Sequence, residues 1–281
     1  MGKLTVSGAG RATIPVVVSS VLNDNSWETI SKVSQAGQAA NKWAVGDTKT
    51  IVINGTVGKT TFSNLSIDVF IIGFNHNSAI EGTNSIHFKI GKINGVQVGL
   101  CDAKYGTNQS YYYYFLINTS NNNSNGWEGS SMRNTLLGNS GTPTSPLPGS
   151  LMAALPSDLL AVMKPVVKYS DNNGGSNTEE SIASYVTETT DYLFLLSEYE
   201  YHGARTYANS AEQNYQAQYD YYKAGNSKVH YNHSATGTAV KEWCRSVYSG
   251  SAALFCALNT DGTSNYGIAN YSYGISPVLA V

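Results

Sequence analysis

The chain has 281 residues, a formal net charge of -2 and only 13% charged residues, whereas average globular proteins have about 25%. Its solubility therefore depends on Asn, Ser, Thr, Gly and Tyr. The sequence has no clustered basic residues, which excludes a nucleic-acid partner. No stretch approaches the ~18 apolar residues of a membrane span, and the first residues lack the apolar core of a signal peptide, so we expect neither membrane insertion nor classical secretion.

The first third of the sequence predicts an arm, one helix and several strands. Residues 1–20 contain a β-branched run with Pro15 and are assigned to an N-terminal arm or edge strand. Asn25, three residues before Glu28, indicates a helix start, and we expect this helix to end near Ala40. Strands are expected over 48–53, 65–71 and 86–90, with hairpin turns at Asn54-Gly55 and Asn94-Gly95.

The middle of the chain alternates short elements with polar loops. A β-prone run covers 111–117, and Ser130 or Ser131 is expected to cap a short helix. Two short helices broken at Pro156 are expected over 151–164. A strand over 192–196 and a stretch with helical Tyr spacing over 209–224 follow.

Short strands fill the last part of the sequence, separated by Ser249-Gly250, Asp261-Gly262 and Tyr266-Gly267. Helices early in the chain and short strands late indicate an α+β fold rather than alternating βαβ units. We assign residues 21–281 to a single domain that ends in an antiparallel β region.

Residues 244–281 contain no Lys, Glu, Gln, Met or Trp, although every residue of these five types occurs at or before Trp243. No codon that ends in a pyrimidine can encode any of the five. Randomising the first two bases of Asn-type codons would produce such a segment. The segment is also rich in Ser, Gly, Tyr and Asn, as antibody recognition loops are. The alternative is a β-meander that lacks these types because of its loop composition.

Motifs for metal binding are incomplete. His230 and His233 form a His-x-x-His without the Glu and the helical spacing of a zinc site. The loop 171–175 has some oxygen ligands of a calcium loop but no acidic residue to close it, which favours a solvated loop. We therefore predict no metal and no cofactor.

Motifs for catalysis are also absent. Glu198 and Glu200 are expected on one face of a strand, where a salt bridge with Arg205 or Lys223 is favoured over acid–base chemistry. The three cysteines are expected to be buried, with a Cys244–Cys256 bridge as the alternative. No nucleophile elbow, P-loop or Rossmann fingerprint occurs, so we predict that the chain is not an enzyme. The predicted structural anchors are Trp127, Arg133, Trp243 and Arg245.

Four sequence landmarks carry a resemblance to a known group. They are Gly126-Trp127 with Ser131-Met132-Arg133, the run 195–200, Trp243-Cys244-Arg245-Ser246, and Gly274-Ile275-Ser276-Pro277. In this order they resemble a family of uncharacterised proteins of gut bacteria and their prophages, whose signatures are Trp-Leu-Arg-Ser and Gly-Val-x-Pro. The resemblance covers about residues 21–281.

The C-terminal half also resembles the C-type-lectin-fold variable proteins of diversity-generating retroelements. This resemblance implies a scaffold anchored by Trp and Arg, and a reverse transcriptase that mutates template adenines in the segment 244–281. The chain departs from the pattern at Cys244, where Leu is usual, and at Lys241-Glu242, where Trp is frequent. It also lacks a Glu-Pro-Asn motif, so calcium-dependent glycan binding is not implied.

Together these observations predict a non-enzymatic receptor-binding protein or adhesin on a phage or prophage tail or, alternatively, on a bacterial cell surface. The expected partners are a bacterial surface protein or glycan and other tail proteins, and homo-oligomerisation is left open. The alternatives are an enzyme of the formylglycine-generating type and an invariant structural module. The predicted contacts, whose Tyr side chains should share one face above Trp243, are Tyr248, Ser249, Ser251, Ala252, Ala253, Asn259, Asp261, Asn265, Tyr266, Asn270, Tyr271 and Tyr273.

Overall fold

A computed structural model of the protein describes residues 17–108, 114–178 and 180–281. Most of the predicted N-terminal arm lies outside these residues, as does the beginning of the predicted strand over 111–117. The described part consists mainly of β-sheet with a few short helices, as the α+β prediction requires. None of its helices is long and apolar enough to cross a membrane.

The largest sheet places its strands in the order β1-β2-β3-β4-β7-β8, and β12 pairs with β3. Neighbours are antiparallel except for the parallel pair β4 and β7. Ile51 of β1 lies opposite Ile67 of β2, and Phe88 of β3 lies opposite Leu279 of β12. All four side chains are buried, so this sheet forms much of the core. Its strands are β1 (Thr48–Val57), β2 (Thr60–Phe74), β3 (Ile86–Ile93), β4 (Val96–Gly99), β7 (His230–Asn232), β8 (Ala235–Val240) and β12 (Val278–Ala280).

Two smaller antiparallel sheets complete the β-structure of the described residues. One pairs β5 (Val166–Asp171) with β6 (Val186–Asp191). The other has the order β11-β10-β9 and consists of β9 (Glu242–Val247), β10 (Leu254–Leu258) and β11 (Ser264–Ile268). Every residue of β9 is buried, and β11 lies at an edge of its sheet with Tyr266 exposed.

The helices are short. The longest in the described residues is α1 (Trp27–Gln35), which buries Trp27, Ile30 and Val33. The others are α2 (Ser78–Glu81), α3 (Ser157–Leu160), α4 (Glu198–His202) and α5 (Asp220–Lys223), with a π-helical turn over Met132–Leu136 and 3-10 turns over Leu22–Asp24, Ala39–Asn41, Met152–Ala154, Ala183–Tyr185 and Ser210–Asn214.

Two turn and cap predictions in the first third are wrong in detail. The cap of α1 is Ser26, whose hydroxyl accepts the Thr29 amide at 3.1 Å, and the helix ends five residues before Ala40. Asn54-Gly55 forms an irregularity inside β1 rather than a turn, because β1 continues to Val57 before it pairs back with Thr60. The turn at Asn94-Gly95 is confirmed, and both of its residues have positive φ, as a two-residue hairpin requires.

Three predictions in the second half fail because tertiary contacts decide the local structure. The stretch 192–196 is not a regular strand, although Phe194 makes an isolated bridge to Val278. The stretch 209–224 is not one helix but the 3-10 turn Ser210–Asn214 followed by α5. Glu198 and Glu200 were expected on a strand, but they lie in the first turn of α4, which begins directly after the capping residue Ser197.

Candidate ligand-binding face

Trp243 and Arg245 anchor β9 to the rest of the protein, and both are fully buried. The Trp243 indole donates to the Phe115 carbonyl at 3.1 Å, and the Tyr273 ring stacks on it with centroids 4.4 Å apart. The Arg245 guanidinium donates to Ser170 Oγ, Leu195 O and both carboxylate oxygens of Glu200. This bidentate pair ties β9 to α4 and raises the pKa of Arg245 although burial opposes it.

Trp127 and Arg133 form a second anchor around one carboxylate. The Trp127 indole donates to Asp191 Oδ2 at 2.8 Å, and Arg133 Nε donates to Asp191 Oδ1 at 2.6 Å. Asp191 is buried at the end of β6, so this anchor fixes the segment around Trp127 against the β5–β6 sheet.

We call the surface carrying the predicted contacts in 244–281 the C-terminal face. Ala252, Asp261 and Tyr266 are exposed, and Tyr266 is 40% exposed. Ser249, Asn270 and Tyr273 are buried, so the structure places these three predicted contacts beneath the surface. The remaining predicted contacts are half-buried: Tyr248, Ser251, Ala253, Asn259, Asn265 and Tyr271.

The four Tyr side chains expected on one face divide into two groups. The rings of Tyr248 and Tyr266 lie 5.0 Å apart between centroids. Tyr271 contacts Tyr273, which lies against the position that a side chain on Gly267 would occupy. Because Gly267 follows Tyr266 in a strand, their side-chain directions are opposite. The two groups therefore lie on opposite sides of β11, and only Tyr273 covers Trp243.

A residue that the sequence patterns missed completes the first group. Tyr207 lies in the loop after α4, and its ring makes edge contacts with Tyr248 at 5.3 Å and with Tyr266 at 5.0 Å. No motif or periodicity indicates Tyr207 in the sequence, because its contacts join the loop after α4 to the β9–β11 sheet, which lies much later in the chain.

The main chain of the turn between β9 and β10 is held by residues outside the segment 244–281. Asn123 Nδ2 donates to the carbonyls of Ser251 and Leu254, at 2.6 and 2.8 Å, and its amide donates to Ala252 O at 3.0 Å. Gly175 packs so closely on this turn that a Cβ there would lie 2.3 Å from the carbonyls of Tyr248 and Ser251.

The main chain after β11 is held in the same way. Ala269 O accepts from the Asn118 amide, the Ser272 amide donates to Thr107 O, and Tyr273 N donates to Phe115 O. By contrast, the side chains of Ser251, Asp261 and Asn265 accept hydrogen bonds from residues one or two positions away in the chain. The scaffold thus holds the backbone of the C-terminal face, and these polar side chains bond locally.

Residues 110–281 match the family described as Domain of unknown function (DUF6273). The chain belongs to this family. No curated protein and no solved structure matches the chain. The DUF6273 region includes all the predicted contacts and the four anchors.

Buried ion pairs join the DUF6273 region to the preceding residues. Lys89 of β3 donates to Glu242 Oε1 at 3.1 Å, to Tyr222 OH at 3.0 Å and also to Tyr201 OH. Ser276 donates to Glu242 Oε2 at 2.7 Å. Burial lowers the pKa of Lys89, although Glu242 opposes this effect. Through these contacts the Glu242 carboxylate neutralises a buried lysine.

A second buried cluster in the described residues groups His76, Glu81 and Glu200, with ligand-type atoms within 4.8 Å of one another. Lys168 Nζ lies 2.8 Å from Glu81 Oε1 and 3.1 Å from Glu200 Oε1. Its ammonium group supplies the positive charge that a metal ion would bring. Burial lowers the pKa of His76 to about 3 and raises that of Glu81 to about 7. The cluster does not fit a metal, because Lys168 occupies the space between the carboxylates.

The predicted weak metal motifs have structural roles. His230 Nε2 contacts Lys89 and Glu242, whereas His233 Nδ1 accepts the Cys101 amide at 3.1 Å, so the two histidines serve different partners. Asp171 is buried, not solvated, and its oxygens accept from the amides of Asn173 and Gly174 and from Asn209 Nδ2.

The predicted salt-bridge partners of the carboxylates are wrong for Glu200, whereas the predicted burial of the three cysteines is confirmed. Glu200 pairs with Lys168 and Arg245 instead of Arg205 or Lys223. Cys244 and Cys256 are buried free thiols, so they do not form the alternative bridge. Burial raises the pKa of both thiols well above its usual value, which keeps them protonated.

Proposed function

We propose that this protein is a non-enzymatic receptor-binding protein whose C-terminal face binds a bacterial surface protein or glycan. One observation carries the proposal: residues outside 244–281, such as Asn123 and Gly175, hold the main chain of the face, while the side chains of Ser251, Asp261 and Asn265 accept hydrogen bonds from within the segment. Such a surface can exchange side chains without losing its backbone contacts.

The composition of 244–281 supports diversification by a retroelement. Its exposed and half-buried positions include several Tyr, Ser, Asn and Ala residues, and all its residues are compatible with pyrimidine-ended codons. A near-copy of the 3′ coding bases that differs at adenines, next to a reverse-transcriptase gene, is the expected genomic context. Display on a phage or prophage tail would add avidity to a modest single-site affinity.

The finer fold proposal is a C-type-lectin-like domain. It is supported by the small β9–β11 sheet, by the Trp and Arg anchors beneath it, and by β12, which returns the chain to the large sheet. The non-enzymatic proposal is supported by the burial of Cys244 and Cys256, since a catalytic thiol needs access and a lowered pKa.

Binding to intact cells tests the function. Fluorescently labelled protein is incubated with a panel of gut bacterial isolates and measured by flow cytometry, with and without EDTA and at low and high salt. We expect a subset of strains to bind, without loss on chelation. Only a small loss is expected at high salt, because Asp261 is the single exposed charge in the segment.

Matched variants localise the binding to the face. Tyr266→Ser combined with Ala252→Asp should abolish cell binding, while Thr61→Ser on the exposed side of β2 should leave it unchanged. Binding to no strain, or equal binding by both variants, would overturn the proposal. Loss on chelation would instead indicate a metal-dependent lectin.

A further inference from the structure

Tyr207 lies outside the segment 244–281, yet its ring packs against the two Tyr rings on the exposed side of β11. We propose that Tyr207 is a fixed ligand contact in the C-terminal face and that Glu198 is the positioning residue that holds it. The proposal rests on the proposed binding function and names a residue that diversification of 244–281 would leave unchanged.

The three rings form a compact group at the surface. The centroid of Tyr207 lies 5.3 Å from that of Tyr248 and 5.0 Å from that of Tyr266, with interplanar angles of 67° and 83°. All three side chains are half-buried or exposed. Edge-to-face packing of this kind stabilises aromatic pairs, so each ring restricts the orientation of the others.

Glu198 fixes the loop that carries Tyr207. The Glu198 side chain is buried, and its Oε2 accepts the amides of Thr206, Tyr207 and Ala208 at 3.0, 2.9 and 2.9 Å. A carboxylate that accepts several amides forms strong, charge-assisted hydrogen bonds. One side chain of α4 therefore determines the path of three consecutive residues.

The loop is also joined directly to the C-terminal face. The carbonyl of Tyr207 accepts from Ser249 N at 3.0 Å and from Ser249 Oγ at 3.1 Å. Ala208 forms an isolated antiparallel bridge with Tyr248. Because Ser249 is buried, its function is to connect the loop to the face rather than to contact a ligand.

A fixed Tyr gives a variable surface one contact that every variant shares. Tyr offers a large amphipathic area at low entropic cost, and such residues dominate binding energies. When Tyr248 or Tyr266 is replaced, the contacts of Glu198 and Ser249 still hold Tyr207 in place. A ligand that sits on Tyr266 therefore meets Tyr207 as well.

Substitution of Tyr207 tests the contact on the bacterial strains that bind the unmodified protein. Tyr207→Ala should weaken binding at least about tenfold, as for a hot-spot residue, and Tyr207→Phe should weaken it less. The matched control is Tyr215→Ala, since Tyr215 is another half-buried Tyr but stacks on Tyr169. Unchanged binding by Tyr207→Ala with a normal thermal melt would overturn the proposal.

Glu198→Ala and Glu198→Gln test the positioning role. Gln retains an oxygen that can accept the loop amides, so binding should be lost in the Ala variant and largely restored in the Gln variant. Hydrogen exchange of the amides of Thr206, Tyr207 and Ala208 should accelerate in the Ala variant. If the Ala variant does not fold, exchange in the folded Gln variant serves as the readout and should be moderately faster than in the unmodified protein, because a neutral amide oxygen accepts weaker hydrogen bonds than a carboxylate. Slow exchange with full binding in both variants would contradict the role of Glu198.

A selection that needs no natural ligand separates this proposal from the proposed function. A yeast-displayed library that varies Tyr248, Ser251, Ala252, Ala253 and Tyr266 is selected for binding to streptavidin, and Tyr207→Ala is then introduced into each selected clone. Loss of binding in most clones supports the role of Tyr207, even if no bacterial strain binds the natural protein. Retained binding in most clones, or no streptavidin binders at all, would overturn it.

Discussion

The interior of this protein and its C-terminal face differ most in charge. The segment 244–281 contains two charged residues, of which Arg245 is buried and Asp261 exposed. The interior holds a much larger set of buried ionisable side chains, including Lys89, Lys168, Asp171, Asp191, Glu198, Glu200, Glu212 and Glu242. In a chain with few charges, many of them are placed where water is excluded.

The difference indicates a division of roles between the two regions. Burying a charge is costly unless it is paired, so each buried pair restricts which elements can pack together. The Arg245–Glu200 and Lys89–Glu242 pairs fix β9 between α4 and the large sheet. The C-terminal face exposes one charge of the segment 244–281, Asp261, so we expect that exchanging its exposed side chains costs little stability.

Breaking a buried pair should have the largest effect. Lys89→Met leaves Glu242 buried without its lysine and should cost about 3 to 5 kcal/mol in the free energy of unfolding. The double variant Lys89→Met/Glu242→Leu should recover at least half of this loss. Urea denaturation measures both, and Lys92→Met, a half-buried lysine of the same strand, is the control, with a cost of about 1 kcal/mol or less. If Lys89→Met lowered the free energy of unfolding no more than Lys92→Met does, the proposed difference between the interior and the C-terminal face would be contradicted.

Two tyrosines of the segment 244–281 allow a buried and an exposed side chain of the same type to be compared. Tyr273 is 7% exposed and stacks on Trp243, so Tyr273→Ser should destabilise the protein by about 3 kcal/mol. Tyr266 is 40% exposed, so Tyr266→Ser should change stability by only about 0.5 kcal/mol. Thermal melts of the two variants give the difference, and equal melting temperatures would mean that the face is not separate from the core.

The pH dependence of stability should give an effect that is spread over several pH units. Burial lowers the pKa of His230 from 6.5 to about 3. The unfolded chain therefore binds a proton below pH 6.5 that the folded protein does not, and stability present above pH 6.5 is lost as the pH falls toward 3. His230→Gln should flatten this loss by up to about 1.4 kcal/mol per pH unit.

Denaturation curves at pH 4 and pH 7 for both proteins measure the effect, because contributions of groups that do not interact with His230 cancel in the difference. His202→Gln is the control, since His202 is only half-buried. Parallel stability curves for the unmodified protein and His230→Gln would show that this histidine does not titrate differently on folding.

Local patterns predicted part of the fold. The hydrophobic alternation in 65–71 and 86–90 located β2 and β3, and Asn94-Gly95 located the turn between β3 and β4. Local signals failed where a distant partner decides the structure. The apolar composition of 192–196 predicted a strand, but within this stretch the structure has only an isolated bridge from Phe194 to Val278. The turn predicted at Asn54-Gly55 does not form because β1 pairs with β2 beyond these residues.

The sequence predicted the anchor residues of the candidate site but not the arrangement of the residues around it. The burial of Trp127 and Trp243 was expected because large aromatic residues tend to be buried, and Arg245 was expected to tie loops together through its planar guanidinium group. Tyr207, Asn123 and Gly175 gave no signal, because their importance lies in contacts to residues far along the chain. Tyr273 was misplaced because alternation along β11 does not reveal which side of the strand a later loop will cover.

β12 comes after every residue of the C-terminal face in chain order, yet it pairs with β3 inside the large sheet, where Val278, Leu279 and Ala280 are buried. The main chain of Val281 also exchanges hydrogen bonds with Ile86. A chain that ended within the face would lack this strand and leave His87, Phe88 and Lys89 of β3 without these pairing partners. The large sheet is therefore completed by residues that follow the C-terminal face in the chain, and the folding of the face and of the large sheet is coupled.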